Sequence, residues 1–112
     1  MIAFFRILTF LLISVPTFCD LIPAKIVRVI DGDSVHVKKN ESDYFVVRLF
    51  GIDAPELNQT CSVNGKDYKC GIKSKNFLIS IISENKLNCF TKGKDRYKRI
   101  IAVCKIGNLD IN

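Results

Sequence analysis

Five short runs in this chain alternate apolar and polar residues, and they limit the fold more than any other feature. Lys25 to Ile30 alternates and is rich in β-branched residues, the pattern of a half-buried strand. Asp31-Gly32-Asp33 follows as a turn, and Ser34 to Lys38 resumes the alternation. Lys39 to Asp43 reads as a polar hairpin loop and Tyr44 to Ile52 as a longer strand that Pro55 ends. Gly51 within that strand suits a bulge or bend. Leu57 to Cys70 is a polar loop with Asn64-Gly65 as a turn signal. Gly71 to Asn85 then reads as a helix: Lys73, Asn76, Ser80, Ser83 and Glu84 share one side, and Phe77, Leu78, Ile79, Ile81 and Ile82 fill the rest. Its isoleucines leave a buried strand over Phe77 to Ile82 as the alternative. Leu87 to Thr91 and Arg99 to Ile106 are the last two strands.

Five strands with one helix between the third and fourth suit a small Greek-key barrel of the OB type, in an α+β, mostly β class, and the pattern by itself fits other small α+β folds as well. At 112 residues there is room for one domain. The formal net charge of +6 favours polyanionic partners such as nucleic acid, an anionic membrane surface or an acidic polysaccharide.

Residues 1–19 read as an export signal. Arg6 precedes the apolar run Ile7 to Val15, Pro16 ends it, and Thr17 and Cys19 fit a signal-peptidase site, so the mature domain spans 20–112. The apolar run is short for a membrane span, and no stable membrane association is expected after cleavage. Cys61, Cys70, Cys89 and Cys104 then remain. An even number of cysteines in an exported chain suggests two disulfides, with three pairings open. Nearest-neighbour pairing is the simplest, and a four-cysteine zinc site is the rival.

Acids and arginines cluster at the strand ends. Asp33 and Asp53 stand beside turns and, on neighbouring strands, would reach one hard cation; oxygen ligands favour Ca²⁺ or Mg²⁺. Asp31 and Asp33 also suit plain turn formation. Glu56 follows Pro55 at the mouth of a loop, where a carboxylate can take a proton from water. Arg48 lies in an alternating strand, and its planar fork suits phosphate. Arg96, Tyr97 and Arg99 place an aromatic ring among cations, as a nucleotide needs. His36, the single histidine, reads as a strand-face residue.

Taken in order, VIDGDSV (29–35), VRLFGIDAPE (47–56) and KDRYKRIIAVC (94–104) resemble the staphylococcal nuclease (thermonuclease) family, in its exported bacterial branch. The resemblance implies a five-stranded OB barrel and Ca²⁺-dependent hydrolysis of phosphodiester bonds in DNA and RNA, with single strands preferred and 3′-phosphate products. By position, Asp33, Asp53 and the backbone carbonyl of Ala54 match the calcium ligands. Arg48 and Arg99 match the phosphate-gripping arginines, and Glu56 the general base. Asp31 matches an acid close to the metal but not on it, and Tyr97 and the adjacent Lys98 match the nucleotide-binding segment. Branch members carry one cysteine pair in the loop after the glutamate and another joining two strands, which implies Cys61–Cys70 and Cys89–Cys104.

Two departures from the family pattern stand out. Lys98 replaces the glycine usual between the tyrosine and the arginine, which would shift the aim of Arg99. Family chains also continue past Asp110-Ile111-Asn112 into further helices that pack on the barrel. The expectation is therefore an exported nuclease, periplasmic or extracellular, lacking those helices and open to a complementing C-terminal chain. The alternative is an inactive fragment or a nucleic-acid-binding OB module that does not cut.

Overall fold

The computed structural model describes residues 20–82 and 86–112. The proposed signal segment and Ser83 to Asn85 lie outside the described residues. Strands β1 (Leu21–Asp31), β2 (Ser34–Asn40) and β3 (Asp43–Leu49) form an antiparallel meander. A small hairpin, β4 (Cys61–Val63) and β5 (Lys66–Tyr68), precedes helix α1 (Cys70–Ile81). Strands β6 (Lys86–Lys94) and β7 (Ile100–Ile106) follow, with a two-residue β8 (Leu109–Asp110) on the edge of β7.

Five of these strands close into a barrel. β1 pairs with β2 on one side and β6 on the other, and the parallel pair β3–β7 makes the closure through Val47↔Ile100, Arg48↔Ile101 and Leu49↔Ala102. The barrel order β1-β2-β3-β7-β6 is the Greek-key arrangement of the OB type, with α1 between the third and fourth barrel strands. The period-two pattern supplies the core: Val35, Val37, Val47, Leu49, Leu87, Cys89, Ala102 and Cys104 all point inward. Cys89 and Cys104 face each other across β6–β7 and are bonded inside that core.

The structure differs from the sequence reading in several places. The run Phe77 to Ile82 is helical through Ile81, so the buried-strand alternative fails. Its i/i+4 neighbours carry it as one face of a helix, with Leu78 buried and Ile81 and Ile82 partly so. Phe77 and Ile79 remain exposed at 67% and 47%. The polar loop contains a hairpin, because Asn64 (φ 52°) and Gly65 (φ 75°) both take the left-handed conformation that a tight two-residue turn requires. β1 starts four residues earlier than the alternation suggests, since pairing with β6 extends it through Pro23. β3 ends at Leu49, and Gly51 (φ 78°) sits in the turn after it.

Candidate active site

The site forms where β1 turns into β2 and where β3 ends. Asp31 pairs with Ser34, and Ser34 pairs with Arg48, so these three residues occupy one row across three strands. In the Asp31-Gly32-Asp33 turn, the Asp33 N–H donates to Asp31 Oδ1 at 3.1 Å. The backbone carbonyl of Asp33 accepts from Leu49 N–H at 2.8 Å, which ties the turn to the end of β3.

Asp33 is the buried centre of the site, 6% exposed. Its Oδ2 accepts from Ala54 N–H at 2.9 Å and faces Arg48 Nη2 at 3.3 Å. Its Oδ1 accepts from the Ser34 hydroxyl at 3.0 Å. Burial alone would raise its pKa. The Ala54 N–H, hydrogen bonding with Asp31, the Ser34 hydroxyl and the Arg48 charge together hold it below the ordinary carboxylate value. Asp31 moves the other way: burial and its hydrogen bond to Asp33 raise its pKa, and the charges of Asp33 and Glu56 add to the rise. The two acids thus behave as a pair in which Asp33 holds the negative charge and Asp31 protonates first.

Arg48 joins the remaining parts. Its Nη1 donates to the carbonyls of Leu49 and Ile52, both at 2.9 Å. Its Nη2 lies between two carboxylates, 3.3 Å from Asp33 and 3.5 Å from Asp53. The Asp53 side chain is 91% exposed, so one acid is rigid and dry and the other reaches in from solvent. Both carboxylates thus converge within hydrogen-bonding range of one point. That point is Arg48 Nη2, and two carboxylates are also the oxygen donors a hard divalent cation takes. Among the described residues no three His, Cys, Asp or Glu side chains group as a metal site, so a cation here would draw on main-chain oxygen and water besides the two aspartates.

Glu56 is exposed on the loop after Pro55. Gln59 fixes that loop: Glu56 N–H donates to Gln59 Oε1 at 3.1 Å, and Gln59 N–H returns a bond to the Glu56 carbonyl at 2.9 Å. Gly71 at the start of α1 lies directly under the loop, where a Cβ would run into the Glu56 carbonyl oxygen and stand 2.6 Å from that of Leu57. The Cys61–Cys70 disulfide closes the same loop onto the helix.

Arg99, just before the β7 residues that pair with β3, is clamped by Asp95. Its Nε donates to Asp95 Oδ2 at 2.7 Å, while Asp95 Oδ1 accepts from the N–H groups of Tyr97 and Arg99 at 2.9 Å each. Against the effect of desolvation, these bonds and the Arg99 charge keep the Asp95 carboxyl below its ordinary value. The guanidinium carbons of Arg96 and Arg99 lie 5.0 and 5.5 Å from the centre of the exposed Tyr97 ring. Lys98 takes φ +64°, the left-handed conformation that glycine adopts at little cost and lysine does not.

The structure therefore links Asp31, Asp33, Arg48, Asp53 and Ala54, places Glu56 on a braced loop after them, and sets Arg99, Tyr97 and Lys98 on the β6–β7 turn, whose second strand pairs with β3. Sequence reasoning missed Ser34, Gln59 and the clamp role of Asp95. Only Asp95 had a local signal, an aspartate starting a charged turn with its partner four residues on. His36 lies mid-β2 with its ring 5.9 Å from Tyr44, outside the site as expected. The zinc alternative fails, because all four cysteines are joined in Cys61–Cys70 and Cys89–Cys104.

Fold and site together define a small OB-type barrel with an acid–arginine centre at one end. A profile of the family described as staphylococcal nuclease homologue matches residues 46–112. The chain belongs to the staphylococcal nuclease-like family. It is 34% identical over 87 residues to the succinoglycan biosynthesis protein ExoI of Rhizobium meliloti (strain 1021), covering 75% of this chain and 43% of that protein. An uncharacterized endonuclease of Haemophilus influenzae is 33% identical over 88 residues, 79% of this chain and 44% of that protein. The micrococcal nuclease of Shigella flexneri is 31% identical over 93 residues, 83% of this chain and 47% of that protein. The chain thus spans about half the length of these relatives.

Proposed function

We propose that this protein is an exported, Ca²⁺-dependent nuclease that hydrolyses phosphodiester bonds of DNA and RNA and leaves 3′-phosphate ends. The observation that carries the reading is Arg48 Nη2, set between a buried and an exposed aspartate at 3.3 and 3.5 Å. Such a point pairs a fixed positive fork with convergent carboxylates, as phosphoryl chemistry requires. Family membership and the likeness to endonucleases support it. The two disulfides support an oxidising compartment, periplasmic or extracellular. Among the described residues no helix is long and apolar enough to cross a membrane.

Asp33, Asp53 and the Ala54 carbonyl would hold the cation. Bound there, Ca²⁺ would supply charge neutralisation at a phosphate oxygen and orientation of a water. Glu56, whose backbone Gln59 braces, accepts a proton from the attacking water as the water oxygen bonds phosphorus and the bond from phosphorus to the 5′-oxygen breaks, the leaving 5′-oxygen taking a proton from solvent. Arg48 shifts part of its hydrogen bonding from the two aspartates to the phosphate and stabilises the extra charge on five-coordinate phosphorus. Among the described residues the Arg99 side chain donates through Nε to Asp95, and its Nη groups would reach a second phosphate oxygen. Tyr97 offers an exposed ring to a base, and Lys98 a charge to the backbone.

A second reading, a nucleic-acid binder that does not cut, draws on one observation. Arg48 already has partners at both of its Nη atoms. Cleavage of single-stranded DNA with Ca²⁺ and with a chelator, beside a Glu56→Gln preparation, separates the two. Calcium-dependent cutting that disappears in the variant supports the nuclease. A folded chain that binds but cuts nothing rejects it.

A further inference from the structure

At the opposite end of the barrel from the acids, strand register builds a row of like charges. Lys25 on β1 pairs directly with Lys38 on β2 and with Lys86 on β6, and Lys38 pairs in turn with Tyr44 on β3. The neighbours Ala24, Val37 and Leu87 face the core, so alternation turns all four side chains of the row outward. Like charges placed directly opposite each other on a sheet destabilise it. Lys38 has a partner in Glu41 at 3.5 Å, but that carboxylate is 92% exposed and screened. Among the described residues neither Lys25 nor Lys86 pairs with an acid. Lys39 adds a further charge to a groove of about 500 Å³ lined by Lys25, Lys86 and Asn88. On the other side of Lys25, a groove of about 350 Å³ runs to Lys38 and Tyr44, whose ring is 51% exposed.

We infer that this row is a second binding site for the phosphate backbone of a single-stranded nucleic acid, remote from the point of cleavage. The inference rests on the nuclease reading for its choice of polyanion. Three ammonium groups answer phosphates, and an exposed tyrosine at the end of the row offers a base a stacking face. Register also supplies a path to the active site. Arg28 pairs with His36 between the lysine row and the row of Asp31, Ser34 and Arg48, and both face outward on the same wall. The two rows are four residues apart on β2, about 13 Å at the rise of a strand, and two bulges on β1 take up its two extra residues. A strand lying along β1–β2 engages the lysine row at one end while a phosphate lies at Arg48. A mono- or dinucleotide is too short to reach both.

The test uses the whole oxidised chain and a Lys25→Gln/Lys86→Gln double variant. Binding of labelled single-stranded DNA, about twenty nucleotides long or a dinucleotide, is followed by anisotropy in chelator across a salt series. The variant is expected to bind the long strand more weakly and the dinucleotide as before. Each lost phosphate contact lowers the log–log salt slope by about 0.7, so two lower it by about 1.4 and shrink the affinity ratio about sevenfold between roughly 50 and 200 mM salt. Its melting temperature is expected to hold or rise, since opposed like charges are removed. Because no cutting is needed, a chain that proves inactive but shows this length-dependent loss keeps the site and rejects only the nuclease reading. An unchanged salt slope in a folded variant overturns the proposal. So does intact oligonucleotide binding alongside lost binding to vesicles of anionic lipid.

Discussion

Gly71→Ala tests whether the packing under Glu56 matters to both stability and activity. Gly71 lies in the first turn of α1, where alanine is ordinarily better than glycine by about 1 kcal/mol. Here the added Cβ would overlap the Glu56 carbonyl oxygen and stand 2.6 Å from the Leu57 carbonyl oxygen. Both obstacles are backbone, so no side chain can rotate away. Overpacking of this kind costs about 1–3 kcal/mol, and the net expectation is destabilisation of up to about 2 kcal/mol. The loop can relieve the overlap only by lifting, which also strains the paired bonds between Glu56 and Gln59. A displacement near 1 Å at a catalytic group costs about 100-fold in rate. Denaturant unfolding and kcat/KM on single-stranded DNA read the two effects separately. Alanine that stabilises the fold by its helix propensity and leaves kcat/KM intact would refute the packing argument.

Three further outcomes are expected. Asp31→Asn keeps an oxygen to accept from Asp33 N–H but removes a charge that folding disfavours. A raised folded pKa stabilises only below the ordinary value of 3.8 and loses that contribution as pH rises, so the variant gains melting temperature at pH 7 and little at pH 3; equal gains at both would reject the pairing. Asp33 has the opposite sign, so its contribution is present above 3.8 and lost as pH falls through its lowered folded value; wild-type melts in strong acid should show that loss, and Asp33→Asn should not. Replacing Cys89 and Cys104 together by alanine removes a fifteen-residue loop closure and is expected to cost about 3 kcal/mol in denaturant unfolding, while a cost below about 1 kcal/mol would show that the core holds β6 and β7 unaided.

Much of the barrel was legible because its information is local. Val35 and Val37 on β2, or Val47 and Leu49 on β3, declare their inward face by period two alone. The Asn64-Gly65 turn was visible for the same reason, although the two short strands it joins were too polar to see. The helix was legible from its period but its covered side was not, since a nearly all-apolar face does not say which residue meets the barrel. Leu78 does, and Phe77 beside it does not.

The acids and arginines of the site were named from sequence by type and by family likeness, but their working relations were not. Asp33 bonds Ala54 across twenty-one residues, and Asn112 reaches back sixty-two residues to the Phe50 carbonyl. Arg99 was named by family likeness, but its clamp by Asp95 was not. Residue types and alternation determined a small chain of five strands and one helix with carboxylates and arginines at its strand ends, and the family likeness carried that to a barrel. The tertiary structure decided which acid is buried beside which arginine, why residue 71 must be glycine, and that three lysines share one row. Those outcomes depend on strand register and on the approach of distant backbone, and neither leaves a trace in any short stretch of sequence.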